Sequence, residues 1–193
     1  MSSQTIRLCV FLGNPGRQYR DTRHNAGFLL ADHHPDFAHE TWRSKFHADY
    51  CDVRHSRSGV RYTAIRPTGY MNRSGVSVSE AAAFFHVPAP AILVVHDDVE
   101  LAFGKIGFRL GGGLAGHKGL RDIAQRIGTQ EFARLRIGIS RPRSGAVQSH
   151  VLGRFNAGEQ AALGDIMEAA SRLFDDVLSQ RVVAATDITV IET

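Results

Sequence analysis

Four polar side chains that could take part in chemistry fall at predicted strand ends or in the loops that follow them. Asn14 follows the first apolar run, His24 lies in the loop beyond it, Asn72 follows a later strand, and Asp97 ends the most apolar strand. Ligands of open α/β sheets bind outside the carboxyl ends of the strands, so we expect these residues in one cleft. A histidine oriented by a carboxylate can take a proton from water, although such a pair also arises by chance.

A glycine-rich loop is the second candidate site. Gly111, Gly113 and Gly116 form a G-x-G-x-x-G pattern between a predicted strand and a predicted helix, and Glu131 falls where a ribose-binding acid of a dinucleotide fold would lie. The pattern comes late in the chain, however, and His117 stands where a Walker A loop needs lysine. The loop still suits phosphate, because free backbone N–H groups point outward at a helix N-terminus.

The sequence does not favour a metal site. The chain has ten histidines, but His33 and His34 are adjacent and His39 has no H-E-x-x-H frame around it. Cys9 and Cys51 have no neighbouring cysteine or histidine at zinc-ligand spacing. We therefore expect no metal, and surface positions for most of the histidines.

Composition is that of an ordinary globular protein. Of 193 residues, 43% are hydrophobic and 22% charged, which excludes a disordered or collagen-like chain. No apolar run approaches the roughly 20 residues of a membrane span, and the N-terminus lacks a secretory pattern, so we expect no membrane association. Two cysteines are too few for a disulfide framework, which favours a reducing compartment.

Charge gives a weak indication of an acidic partner. The formal net charge is +4, and nine lysines and arginines lie between Lys105 and Arg143. Arginine predominates in this segment, and its planar guanidinium suits bidentate contacts with phosphate. A basic face that is simply solvated remains the alternative.

Strands alternate with helices along the chain, which predicts one domain over 1–193. The arrangement is a three-layer α/β sandwich around a mixed central sheet, because one pair of strands reads as a hairpin turning at Ser58-Gly59. Predicted strands cover 6–12, 48–55, 61–66, 91–96, 106–110 and 135–139, and predicted helices cover 25–32, 75–86, 118–127 and 157–178.

Several blocks of the chain, taken in order, match a known pattern. They are residues 12–16, 19, 22–27, 67–75, 96–101, 111–113, 116–117, 119–123, 132, 134–139 and 151–153. Together they resemble the signature of the bacterial peptidyl-tRNA hydrolase family over nearly the whole chain. That family cleaves the ester between a peptide, or an N-blocked amino acid, and the terminal ribose of tRNA. This reaction rescues tRNA from stalled translation. The fold of the family is a single α/β domain with a mixed sheet.

The resemblance implies a role for each matching residue. His24 would be the base that activates water, Asp97 its orienting partner, and Asn14 and Asn72 would hold the ester and the peptide. The other residues implied to bind substrate are Met71, Tyr19, His117 and Lys118, and those implied to clamp a tRNA phosphate are Arg109 and Arg136. The resemblance implies no metal or cofactor, a tRNA partner, a monomer and a cytoplasmic location.

Three positions depart from the family pattern. Lys118 replaces an asparagine that positions substrate and water, Leu114 replaces a histidine of the same loop, and Gly107 replaces a basic residue of the phosphate clamp. Lysine offers donors and a charge but no acceptor. Lys118 could pair with Asp97, contact the tRNA end or stabilise an oxyanion.

These departures leave two alternatives beside peptidyl-tRNA hydrolysis. One is a divergent paralogue that acts on aminoacyl-tRNA, as a hydrolase or a transferase in a specialised pathway. The other is a tRNA- or RNA-binding protein on the same scaffold that no longer turns over its substrate.

Overall fold

The structure, a computed structural model, describes residues 5–142 and 144–191. Arg143 and both ends of the predicted 1–193 domain therefore lie outside the described residues. The strands are β1 (Leu8–Phe11), β2 (Arg43–Lys45), β3 (Ala48–Arg54), β4 (Arg61–Pro67), β5 (Ile92–Asp98), β6 (Lys105–Leu110), β7 (Ala133–Gly138) and β8 (Thr186–Thr189). The helices are α1 (Ala26–His33), α2 (Ser74–Phe84), α3 (Lys118–Ile127), α4 (Val147–Leu152) and α5 (Ala157–Leu178).

The eight strands form one sheet in the order β2-β3-β4-β1-β5-β7-β6-β8. Strand β1 lies parallel to both β4 and β5, and β5 lies parallel to β7. The pairs β2–β3, β3–β4, β6–β7 and β6–β8 are antiparallel. The predicted mixed sheet is thus confirmed, and the carboxyl ends of the four parallel strands meet at one edge.

Helices cover both faces of the sheet, because its central strands are apolar on both sides. On β1, Cys9 and Phe11 pack in the cluster that includes α1 and α5, whereas Leu8 and Val10 pack with α2 and α3. This arrangement is the three-layer sandwich that the sequence predicts. Every helix among the described residues is too short or too polar to cross a bilayer.

Six predicted strands and four predicted helices are present, with ends displaced by at most two residues. The sequence analysis missed β2, α4 and β8. Strand β2 is three exposed residues, and β8 is exposed along most of its length, so neither has the apolar alternation that marks a strand. Helix α4 has only six residues and one buried side chain.

A buried polar cluster joins three distant segments on the α5 side of the sheet. The Oδ1 of Asp175 accepts hydrogen bonds from the Nε2 of His34 at 3.0 Å and of His55 at 2.9 Å. The Nε of Arg57 lies 3.0 Å from the other carboxylate oxygen, and the backbone N–H of Asp36 donates to the Nδ1 of His34. With one nitrogen donating and the other accepting, the His34 ring is neutral in the folded protein. Burial lowers the pKa of His34 more than Asp175 raises it.

We expect acid to destabilise the fold through His34. Because its pKa is lower in the folded than in the unfolded chain, the unfolded chain binds more protons once the pH falls below about 6.5. Stability present above that pH is therefore progressively lost as the pH falls below it. Urea denaturation of the wild type and His34→Gln at pH 7.5 and 5.5 measures the effect. Glutamine retains a donor for Asp175 but does not titrate, so an equal pH dependence in both proteins would contradict the assignment.

Candidate active site

Two imidazoles converge on one buried carboxylate at the end of β5. The Nδ1 of His24 lies 2.9 and 3.0 Å from the two carboxylate oxygens of Asp97, and the Nε2 of His117 lies 3.1 Å from Oδ1. Asp97 is only 2% exposed. An ionised carboxylate can only accept, so each imidazole donates an N–H to it.

This pattern assigns the protons on both rings. Donation from Nδ1 leaves the Nε2 of His24 as the basic nitrogen, and Nε2 has no partner among the described residues. The Nδ1 of His117 accepts from the backbone N–H of Leu120 at 3.3 Å, so both nitrogens of that ring are engaged. Of the two rings, His24 alone is therefore available to take a proton.

Nearby charges keep Asp97 ionised, and burial keeps His96, a third histidine close to Asp97, in its neutral form. Burial by itself raises the pKa of Asp97, but the nearby His24 and His117 lower it, and the net pKa lies well below its usual range. Burial, with His117 as the next cause, lowers the pKa of His96 to about 3. Asp97 is thus an ionised carboxylate that accepts from the N–H groups of His24 and His117.

The backbone around His24 is fixed on both sides. Arg23 donates to the carbonyl of Arg154 at 2.7 Å and pairs with Glu159 at the start of α5. Asn25 accepts from the N–H of Asn14 at 2.9 Å and donates to its carbonyl at 3.0 Å. These contacts tie the His24 turn to the C-terminal helix and to the loop after β1.

Gly27 lets the first helix approach the sheet closely. A Cβ at this position would lie 2.5 Å from the backbone nitrogen of Leu12 and 2.7 Å from the carbonyl oxygen of Val95. A larger residue would push α1 away from β1 and β5, and with it the turn that carries His24.

Asn14 presents its amide NH₂ group to the cleft. Its Oδ1 accepts from the backbone N–H of Met71 at 2.8 Å, which assigns the oxygen, because an N–H cannot donate to the amide nitrogen. Among the described residues nothing accepts from the Nδ2 of Asn14. The loop after β4 therefore orients a residue of the loop after β1.

All eight residues predicted to be catalytic or to bind substrate line a single cleft of about 420 Å³. They are Asn14, Tyr19, His24, Met71, Asn72, Asp97, His117 and Lys118. The wall also contains His96, Asp98, Tyr70, Leu114, Arg134, Val147, Gln148, Val151 and Leu152, which the sequence analysis did not assign to a site. One rim is aromatic, because Tyr19 and Tyr70 meet edge to face with centroids 6.3 Å apart.

Lys118 is exposed and makes no ion pair within residues 5–142 and 144–191. The two histidines occupy the Asp97 carboxylate, so the structure does not realise the pairing of Lys118 with Asp97 considered above. Lys118 begins α3, directly after His117, whose side chain caps that helix. Its ammonium group is thus free to meet an anion at the mouth of the cleft.

The two predicted phosphate contacts lie outside the cleft wall and differ in environment. Arg109 is exposed on β6. Arg136 is buried on β7, where its Nε donates to Asp98 at 2.7 Å and its Nη1 donates to Asp187 at 3.0 Å. Arg109 makes no ion pair with any of the residues that the structure describes, whereas Arg136 already holds two carboxylates.

Among the described residues, His24, Asp97 and His117 are the one group able to gather metal ligands, with ligand atoms within 4.8 Å of one another. Two imidazoles and a carboxylate suit Zn²⁺ chemically. Their separations are those of hydrogen bonds, however, and an ion would have to displace both N–H donors from Asp97.

Comparisons with known proteins identify the family. A family model described as peptidyl-tRNA hydrolase matches residues 8–190. A peptidyl-tRNA hydrolase of Oleidesulfovibrio alaskensis is 40% identical over 190 residues, covering 93% of each chain. One of Treponema pallidum is 42% identical over 188 residues, covering 96% of this chain and 91% of the other. The chain belongs to the peptidyl-tRNA hydrolase family.

Solved structures agree with this assignment. The peptidyl-tRNA hydrolase of Acinetobacter baumannii matches with a TM-score of 0.81 at 39% identity, covering 93% of this chain and 92% of that one. Its Arg119Gln mutant matches with a TM-score of 0.83. The resemblance and the fold class predicted from the sequence are both confirmed.

Sequence reasoning missed the residues that hold this peptidyl-tRNA hydrolase site in place. Arg23 and Asn25 flank His24 within residues 22–27, but of these three the family resemblance implies a role only for His24. Arg134 was counted simply as a basic residue, but its Nη1 donates to the carbonyl of Gly113 at 2.8 Å, and its Nη2 donates to the carbonyls of Gly111 and Gly112. The sequence carried no signal for this role, because alternation on β7 places Arg134 on the face opposite Leu135 and Ile137, which is usually solvated.

We expect Arg134→Lys to loosen the glycine-rich loop selectively. An ammonium group cannot reproduce a planar guanidinium that reaches three carbonyls, so amides of residues 111–118 should exchange with deuterium about tenfold faster. Hydrogen–deuterium exchange with mass spectrometry measures this, with strand β5 as the internal reference. Arg126→Lys on α3 is the control, because Arg126 pairs with Asp122 and does not contact the loop. Unchanged exchange in 111–118 would show that Arg134 does not hold the loop.

Proposed function

We propose that this protein hydrolyses peptidyl-tRNA at the ester between the peptide, or an N-blocked aminoacyl group, and the terminal ribose. The observation that carries the proposal is the His24–Asp97 pair, whose free Nε2 belongs to the same cleft as Asn14 and Asn72. A neutral imidazole with its other nitrogen held by a carboxylate is the arrangement that general-base activation of water requires.

The attack step follows from the tautomer. The Nε2 of His24 takes a proton from a water molecule, and the oxygen of that water attacks the ester carbonyl. The imidazole becomes a cation beside the ionised Asp97, which stabilises the positive charge and holds the ring in place. The amide NH₂ of Asn14 donates to the carbonyl oxygen as it becomes an oxyanion.

Collapse of the tetrahedral intermediate completes the cycle. The bond to the ribose oxygen breaks, and the imidazolium of His24 returns its proton to that oxygen. The products are a peptide with a free carboxyl group and a tRNA with a free terminal hydroxyl, and His24 is neutral again. The reaction needs only water as co-reactant, and we propose no metal or cofactor.

Other residues of the cleft bind the peptide part of the substrate or hold Asp97 in place. Asn72 is exposed and hydrogen-bonds the peptide, while Met71 and the ring of Tyr19 provide apolar contact with it. His117 forms part of the wall and contributes mainly by fixing Asp97, since both of its nitrogens are engaged.

Three basic side chains contact the tRNA in this proposal. Arg109 and Arg136 bind a backbone phosphate, and Lys118 meets the acceptor end at the mouth of the cleft. Such contacts raise affinity without reading sequence, which suits an enzyme that accepts many tRNAs.

Neither alternative function is favoured. A non-catalytic RNA-binding protein would not require a complete His–Asp pair. Relatives about 40% identical over most of the chain are named peptidyl-tRNA hydrolases, which favours that substrate over aminoacyl-tRNA. We propose a monomer, since one chain supplies every group of the site. We also propose a cytoplasmic location, where translation makes the substrate and the buried free thiols Cys9 and Cys51 stay reduced.

Replacing His24 with alanine should lower the single-turnover rate of N-acetyl-aminoacyl-tRNA cleavage about 10³-fold, because no other described group is placed to take the proton from water. His33→Ala is the matched control, since His33 is half-exposed at the end of α1 and pairs with Glu168. We expect it to retain the wild-type rate. Near-full activity in His24→Ala would refute the mechanism.

Lys118→Asn restores the amide usual in the family and should mainly affect tRNA binding. We expect affinity to fall several-fold and the slope of log Kd against log salt to decrease by about 1, with the saturating single-turnover rate within about threefold of wild type. Arg121→Gln removes a charge from α3 outside the cleft and serves as the control. A large rise in the saturating rate of Lys118→Asn would instead indicate a diverged acyl site.

A further inference from the structure

The buried guanidinium of Arg136 is shared between two carboxylates of different exposure. Its Nε donates to Asp98, whose side chain is 6% exposed, and its Nη1 donates to Asp187, whose side chain is 54% exposed. The contact with Asp98 is buried and joins the neighbouring strands β5 and β7. The Asp187 contact comes from the last strand and faces solvent.

The contact with Asp187 crosses an intervening strand. Strands β7 and β8 are not neighbours, because β6 lies between them, and the register aligns Arg136, Gly107 and Asp187 in one row. Two strand spacings separate the backbones of Arg136 and Asp187 by roughly 10 Å. Their side chains meet because Gly107 has none. A Cβ there would lie 2.2 Å from the Oδ1 of Asp187.

The strand that carries Asp187 is held on one side only. It has four residues, pairs with β6 alone, and has three exposed positions. Next to this row, on the same face of β6, Arg109 is exposed and has no ion-pair partner in the described part of the chain. An anion approaching Arg109 therefore meets a second guanidinium, Arg136, that a removable carboxylate covers.

We propose that Asp187 is an intramolecular competitor of the tRNA phosphate for Arg136, and that it sets the affinity of the enzyme for tRNA. This inference rests on the part of the proposed function that assigns phosphate binding to Arg109 and Arg136. A phosphate oxygen replaces the Asp187 carboxylate at Nη1 while Asp98 keeps its bond to Nε. Binding thus exchanges one anion for another, and Gly107 is the position that makes the exchange possible.

Asp187→Asn tests the inference by removing the competing charge with almost no change of shape. We expect uncharged tRNA to bind about three to five times more tightly, measured by fluorescence anisotropy at two salt concentrations. Asp165→Asn, an exposed position on α5, makes the same change in net charge, and its Kd should stay within about twofold of wild type.

Gly107→Ala separates competition from simple charge repulsion, because its Cβ would fill the space at Nη1 that the Asp187 carboxylate and the phosphate oxygen share. Competition predicts that Asp187→Asn no longer tightens tRNA binding when Gly107→Ala is also present, whereas charge repulsion predicts the same gain with and without Gly107→Ala. If Asp187→Asn binds like Asp165→Asn, or if it tightens binding equally in both backgrounds, the inference is wrong. These measurements need no ester cleavage, so a failure of the proposed hydrolysis would appear separately, as a wild-type protein that binds tRNA but leaves N-acetyl-aminoacyl-tRNA intact.

Discussion

The buried carboxylate of Asp97 is the constraint around which the cleft is built. A charge at 2% exposure is costly unless donors surround it, and here two imidazole N–H groups supply them. Of the two rings that donate to Asp97, only His24 keeps a nitrogen without a partner among the described residues, its Nε2. One arrangement therefore satisfies the buried charge and orients the proposed base.

Contacts with neighbouring residues hold His24 and His117 in position beside Asp97. Arg23 and Asn25 anchor the His24 turn on either side, while His117 is held by the first turn of α3. Parallel strands bring the remaining groups together, since their carboxyl ends share one edge of the sheet. The site thus depends on the backbone as much as on the side chains that touch substrate.

Arginine serves two separate purposes on β7 and β6. Arg134 and Arg136 lie buried and satisfy carbonyls and carboxylates, whereas Arg109 faces solvent. A basic segment in a sequence is consequently not equivalent to a basic surface. How many of its charges can meet a nucleic acid depends on which of them are already engaged within the protein.

The sequence by itself determined the layered α/β fold, because apolar runs and helical periodicity report burial directly. It also placed eight candidate residues that the structure brings into one cleft. Its blocks were specific enough to indicate the family.

Only the tertiary structure decided which charges are free. Within the described part of the chain Lys118 makes no ion pair, although Asp97 lies in the same cleft, and Arg136 is covered although it belongs to a basic segment. Strand β8 lacks the apolar alternation that marks a strand, since its four residues are mostly exposed, so the sequence pattern did not place Asp187 in the sheet. The physical reason is that hydrogen bonds and ion pairs join residues distant in the chain, Arg136 and Asp187 among them. The pattern of residue types along the sequence indicates which residues are buried, but it does not indicate with which partner a polar group forms a hydrogen bond or an ion pair.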